Sequence, residues 1–146
     1  MPRVSRTVEI DASPDEVIEY IADVDHHPAF ISALNSVHEL SGNPRHSETE
    51  WSWTFTFAGV ALQGNAGTLD YEPGKRYSFQ TTGGIQSTFV YEAQANAGGG
   101  TVLTASSEYE IPQTVLSSVV DQNDIDRFVQ GVADEAAQDL KAIFED

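Results

Sequence analysis

In the stretch WSWTFTF, residues 51–57, Trp51, Trp53, Phe55 and Phe57 alternate with Ser52, Thr54 and Thr56. Successive side chains of a strand point to opposite faces, so the pattern predicts a strand with one aromatic face and one hydroxyl face. The same period of two continues from residue 37 to 111 and predicts six strands, near 37–41, 47–58, 60–72, 75–83, 86–96 and 101–111. Turn residues separate them: Gly42-Asn43-Pro44, Gly59, Glu72-Pro73-Gly74, Gly83-Gly84 and Gly98-Gly99-Gly100. Connections this short predict an antiparallel meander. Gly64 and Gly67 interrupt the strand at 60–72 and predict a bulge or sharp bend there.

The two ends of the chain follow other patterns. RVSRTVEI at 3–10 reads as a first strand, with Val4, Val8 and Ile10 apolar. Ser13 is a good N-cap, Pro14 suits the first helical position, and Glu16 completes a capping box. Val17, Ile18, Ile21 and Ala22 follow at helical spacing, so a first helix is expected to run to about Asp23. A second short helix is expected near His27-Pro28, with Phe30, Ile31 and Leu34 inward. From residue 113 the period becomes helical. Val115, Leu116, Val119, Ile125, Phe128, Val129, Val132, Ala136, Leu140, Ile143 and Phe144 form an apolar stripe, with DQND at 121–124 as a point of breakage or re-capping.

The predicted architecture is α+β: a seven-stranded antiparallel sheet, two short helices between its first two strands, and one long C-terminal helix. Such a sheet must bury one face, and only the final helix is large enough to cover it. Tyr77 with Phe79, Phe89 with Tyr91, and Leu103 with Ala105, Tyr109 and Ile111 share a face in their strands, matching the rings at 51–57. The rings are large for the small aliphatic stripe opposite. They make either a solid core or the wall of a pocket with a few placed polar groups.

Composition narrows the picture. The 146 residues fit a single domain spanning 1–146, and no apolar run is long enough to span a membrane. The N-terminus lacks the apolar segment of a signal peptide, so a cytoplasmic location is expected. Without cysteine there is neither disulfide nor thiolate chemistry. The charge is unusual, with 23 acidic residues against 7 basic ones and a formal net charge of −16. The acidic residues are scattered, and this reads as a solvated surface adapted to high salt, where self-repulsion is screened. Binding to nucleic acid or anionic membrane is disfavoured.

Candidate chemistry is sparse. Asp23, Asp25, His26 and His27 match no metal-binding spacing and read as a solvated linker, and His38 and His46 read as surface residues. No metal or cofactor is expected. Acid–base work would fall to Tyr77, Tyr91 or Tyr109, or to Asp70 if a bulge turned it inward. Ser107 has no evident histidine partner for a hydrolase triad.

The opening VEIDASPDEVIEYIADVDHHPAF, the glycine-punctuated strands and the long final helix resemble the START-like, helix-grip (SRPBCC) superfamily, in its polyketide cyclase/dehydrase and lipid-transport branch. The resemblance covers essentially the whole chain. It implies a curved sheet gripping the final helix over a cavity, in which relatives bind lipids, sterols, polyketides or plant hormones. No catalytic motif is shared across the group, so none is carried over.

The expectation is therefore a binding protein for a small hydrophobic molecule. Its ligand-binding residues would be Phe30, Trp51, Trp53, Phe55, Tyr77, Phe79, Phe89, Tyr91, Leu103, Tyr109 and Phe128. Tyrosine hydroxyls would orient the guest, and the portal would lie between 26–36 and 112–124. Two alternatives stand beside it. One is a cyclase or dehydratase using the same cavity. The other is an interaction or maturation protein similar to those linked to carbon monoxide dehydrogenase. Whether a reaction is catalysed stays open, as does homodimer formation.

Overall fold

The computed structural model describes residues 3–23, 26–31, 34–41, 50–57, 60–83, 86–110 and 122–144. Its elements are β1 (Arg3–Ile10), α1 (Pro14–Ala22), α2 (His27–Phe30), β2 (Leu34–Ser41), β3 (Glu50–Phe57), β4 (Val60–Glu72), β5 (Arg76–Gly83), β6 (Gln86–Ala95), β7 (Thr101–Glu110) and α3 (Gln122–Phe144). All seven strands form one antiparallel curved sheet in the order β1-β7-β6-β5-β4-β3-β2. The predicted α+β helix-grip architecture is the one observed. Several expectations fall outside the described residues: the turns at 42–44, 59 and 84, Asp25, His46, Ile111, and the helical positions Val115, Leu116 and Val119.

β1 and β2 are consecutive in sequence but occupy opposite edges of the sheet. The segment carrying α1 and α2 therefore has to cross the whole sheet, and it buries its apolar side on the way. Ser13 caps α1 by accepting from the Glu16 backbone N–H at 3.3 Å, and Pro14 opens the helix. Val17, Ile18, Ile21 and Ala22 are then completely buried. α1 packs on β5 and β6, whereas α3 rests on β1 and α2. The final helix thus bridges over the middle of the sheet.

Three side chains fasten that bridge. The Arg6 guanidinium on β1 donates from Nε to Asp134 Oδ1 at 2.5 Å and from Nη2 to Gln130 Oε1. Lys141 donates to the Glu9 carbonyl at 3.0 Å. At the other end of α3, the Tyr109 hydroxyl donates to Asp126 at 3.0 Å.

The irregularity of β4 is not at its glycines. Its register with β3 runs unbroken through Gly64 and Gly67, and the shift against β5 falls between Thr68 and Asp70. Leu69 is the bulged residue and stands outward, 44 % exposed. Asp70 stays exposed and approaches Arg76 at 3.6 Å, so the bulge does not turn it inward. Gly64 answers a different demand. A Cβ there would collide with the Thr82 carbonyl oxygen and with the indole of Trp53, its cross-strand partner. The bare backbone lets the indole lie flat across β4, where Nε1 donates to the Asn65 carbonyl at 2.9 Å.

Candidate functional site

Alternation along the strands brings the rings to one face, and cross-strand register places them side by side. Phe79 pairs with Phe89 and Tyr77 with Tyr91 between β5 and β6. Phe79 and Phe89 stack with centroids 4.8 Å apart, and Trp51 tilts against Phe79 at 5.5 Å. Above them, between sheet and α3, lies a cavity of about 160 Å³. β3 contributes Trp51, Trp53 and Phe55 to its wall, and β5 contributes Phe79. Phe89 and Tyr91 come from β6, and Leu103 and Tyr109 from β7. The roof is α3, through Phe128, Val129, Val132, Ala133, Ala136, Ala137 and Leu140.

The remaining two residues nominated from the sequence lie elsewhere. Phe30 and Tyr77 do not line the cavity. Both are completely buried, Phe30 within α2 and Tyr77 against His27 of the same helix. The Tyr77 hydroxyl is paired with Thr68 Oγ1 at 3.1 Å. Of the expected portal, residues 112–121 lie outside the described residues, and Ile31 and Leu34 from its other side border the cavity.

Sequence reasoning missed His27. It is not in a solvated linker: it is 1 % exposed and borders the cavity. Its ring stacks on Phe79 at 5.2 Å and meets Trp51 edge-on at 6.3 Å. Nε2 lies 2.8 Å from the Ile21 carbonyl oxygen. A carbonyl only accepts, so Nε2 carries the proton and Nδ1 keeps a lone pair. Burial pushes the imidazole down to about 4, against weaker opposing pulls from the Ile21 bond and Asp23. The ring is therefore neutral at neutral pH. His26, by contrast, is part-exposed; it stacks on Tyr20 at 4.0 Å and has Nδ1 2.9 Å from the Tyr20 carbonyl oxygen. No local signal marks the burial of His27: within the same short helix His27 and Phe30 are buried while Ala29 is exposed.

The other polar tips on the wall divide into two sets. Trp53 Nε1 is bound to Asn65, Tyr109 to Asp126, and Thr81 Oγ1 to Ser87 Oγ at 2.5 Å. Among the described residues, the Trp51 indole N–H, the Tyr91 hydroxyl and His27 Nδ1 have no hydrogen-bond partner. Burial, and then the neighbouring Tyr77, raises Tyr91 well above the ordinary phenol range. Burial and the Asp126 carboxylate push Tyr109 up to about 12. The wall thus sets a few polar groups in an apolar surface; Ser106, Ser107 and the Arg6 guanidinium, which is held by Asp134 and Gln130, border it as well. Among the described residues, no group of three or more His, Asp or Glu side chains converges to hold a metal. No helix among them is long and apolar enough to cross a membrane.

Comparison with known proteins agrees with this architecture. An aromatase/cyclase from Streptomyces sp. R1128 superposes with a TM-score of 0.78 at 13% identity, over 99% of this chain and 93% of its own. A START superfamily protein from Mycobacterium smegmatis gives 0.79 at 14% identity, over 98% and 97%. A protein from Thermus thermophilus gives 0.79 at 15% identity, over 97% and 95%. At these identities the likeness is one of fold. No curated protein matches the sequence. The family model described as polyketide cyclase / dehydrase and lipid transport matches residues 1–145, and the chain belongs to that family.

Proposed function

We propose that the protein binds a small hydrophobic molecule in the cavity between the sheet and α3. The observation that carries this reading is the wall itself: aromatic rings from four strands face a roof of short aliphatic side chains across an unfilled space. Burying a guest there removes apolar surface from water at about 25 cal/mol per Å². The contact surface is formed by Trp51, Trp53, Phe55, Phe79, Phe89, Tyr91, Leu103, Tyr109 and Phe128, with Phe30 and Tyr77 supporting it from outside the cavity. The titratable rings on the wall favour binding over turnover. His27 is held neutral far below pH 7 and the tyrosines far above it, so none is poised to exchange a proton near neutrality.

Native mass spectrometry of the protein purified in molar salt tests this. A co-purified guest appears as added mass, and Ala133→Phe, which fills the roof, removes it. A wild-type mass equal to that of the bare chain, with no apolar compound bound from a panel, would sink the reading. A second reading, a cyclase or dehydratase, draws on the family description and on the aromatase/cyclase likeness. It requires turnover that Tyr91→Phe or Tyr109→Phe abolishes while binding persists.

A further inference from the structure

Resting on the cavity reading, we propose that the guest is a single-ring aromatic compound bearing a hydroxyl, and that this hydroxyl donates to Nδ1 of His27. Two independent observations lead there. The first is size. The cavity measures about 160 Å³. An apolar cavity of about 150 Å³ holds one benzene ring. A sterol, a fused polyketide or an acyl chain is several times larger.

The second is the polarity of His27. Its Nε2–H is committed to the Ile21 carbonyl, which fixes the tautomer and leaves Nδ1 as an acceptor. The ring is packed between Phe79 and Trp51, both on the cavity wall, so its orientation is set by the core before any guest arrives. No described residue donates to Nδ1. His27 borders the cavity with this lone pair free of a described donor, and a guest that supplies an O–H gains a hydrogen bond there. A phenol does so while stacking its ring on the surrounding aromatic side chains. Of the hydroxyls on the wall, Thr81 is engaged with Ser87 and Tyr109 with Asp126, whereas Tyr91, Ser106 and Ser107 also border the cavity.

The test compares p-cresol, toluene and anisole, which share one ring and differ in what they offer. p-Cresol can donate and accept, anisole can only accept, and toluene does neither. The protein has two tryptophans, Trp51 and Trp53, and both line the cavity, so their indole N–H resonances follow each titration. The expected result is that p-cresol binds about tenfold more tightly than toluene or anisole. The ¹⁵N resonance of His27 Nδ1 then moves upfield with p-cresol and stays in place with toluene. His27→Phe should level the three affinities. If His27→Phe does not fold, the wild-type imidazole resonance decides alone.

Equal affinities with an unmoved Nδ1 would overturn the hydroxyl assignment and leave the cavity reading intact. Tighter binding of anisole would overturn it in favour of Trp51 or Tyr91 as donor to an accepting guest. If none of the three binds while native mass spectrometry shows a heavier guest, the single-ring assignment falls. If that experiment also shows none, the cavity reading falls with it.

Discussion

The inner face of the sheet is covered twice, and the two covers behave differently. Where α1 and α2 cover it, Val17, Ile18, Ile21, Ala22, Phe30 and Tyr77 are all fully buried. Under α3, Val129, Val132, Ala133 and Ala136 are only partly buried, as are Phe55 and Phe89 beneath them. Both covers are amphipathic and both sit on aromatic strands. They differ in reach and in attachment. α1 lies directly on β5 and β6 and presents branched aliphatic side chains to them, whereas α3 is fastened to the β1 edge and to α2. Its alanines are too short to meet the rings of the middle strands. A core fills where a large side chain faces a large side chain at contact distance, and stays open where a spanning helix holds small ones away.

The sharpest way to break this comparison is to truncate one ring in each half. Phe30→Ala is expected to cost about 3–5 kcal/mol, because a rigid surround leaves a cavity behind. Phe55→Ala is expected to cost about half as much or less, since that ring is already part-exposed to a space. Urea unfolding at fixed salt measures both, and equal losses would erase the distinction.

His27 sits at the border between the halves, and pH tests on which side it belongs. The folded protein holds it neutral down to about pH 4, while the unfolded chain takes up a proton near the ordinary value of about 6.5. Its contribution is therefore intact above pH 6.5 and is lost as pH falls toward 4. The slope is about 1.4 kcal/mol per pH unit, for a total of about 3 kcal/mol. In unfolding curves between pH 7 and 5, His27→Phe is expected to lack this part of the slope. Matching slopes in wild type and variant would place the imidazole in solvent.

The smallest expected effects come from adding volume. Ala22→Leu enters a filled region and is expected to destabilise by about 1–3 kcal/mol. Ala136→Leu enters the open one and is expected to be neutral or to stabilise by about 0.5–2 kcal/mol. Thermal unfolding of the two variants should therefore shift in opposite directions, and a loss in both would mean that the roof is already closed.

Much of this arrangement was legible in the chain. The alternation at 51–57 and its echoes at 77–79, 89–91 and 103–109 marked the inward face, and Ser13-Pro14 with the spacing of Val17, Ile18 and Ile21 marked the first helix, because both periodicities are local. Three details were not legible. Gly64 looked like a bend but serves the approach of Trp53, which becomes a neighbour only through cross-strand pairing. The bulge fell at Leu69, where no glycine marks it. His27, preceded by Asp23, Asp25 and His26, looked solvated, yet the crossing segment presses it onto Phe79.

Side-chain alternation, caps and turns are properties of neighbours along the chain, and they were enough to set the strands, the helices and the aromatic side of the sheet. Whether those rings would close on one another could not follow from them. That depended on how far α3 is held from β5 and β6, a distance fixed by sheet curvature and by Arg6, Lys141 and Tyr109 gripping partners on other elements. Spacing between layers is a sum over many long-range contacts, and no short window of residues contains it.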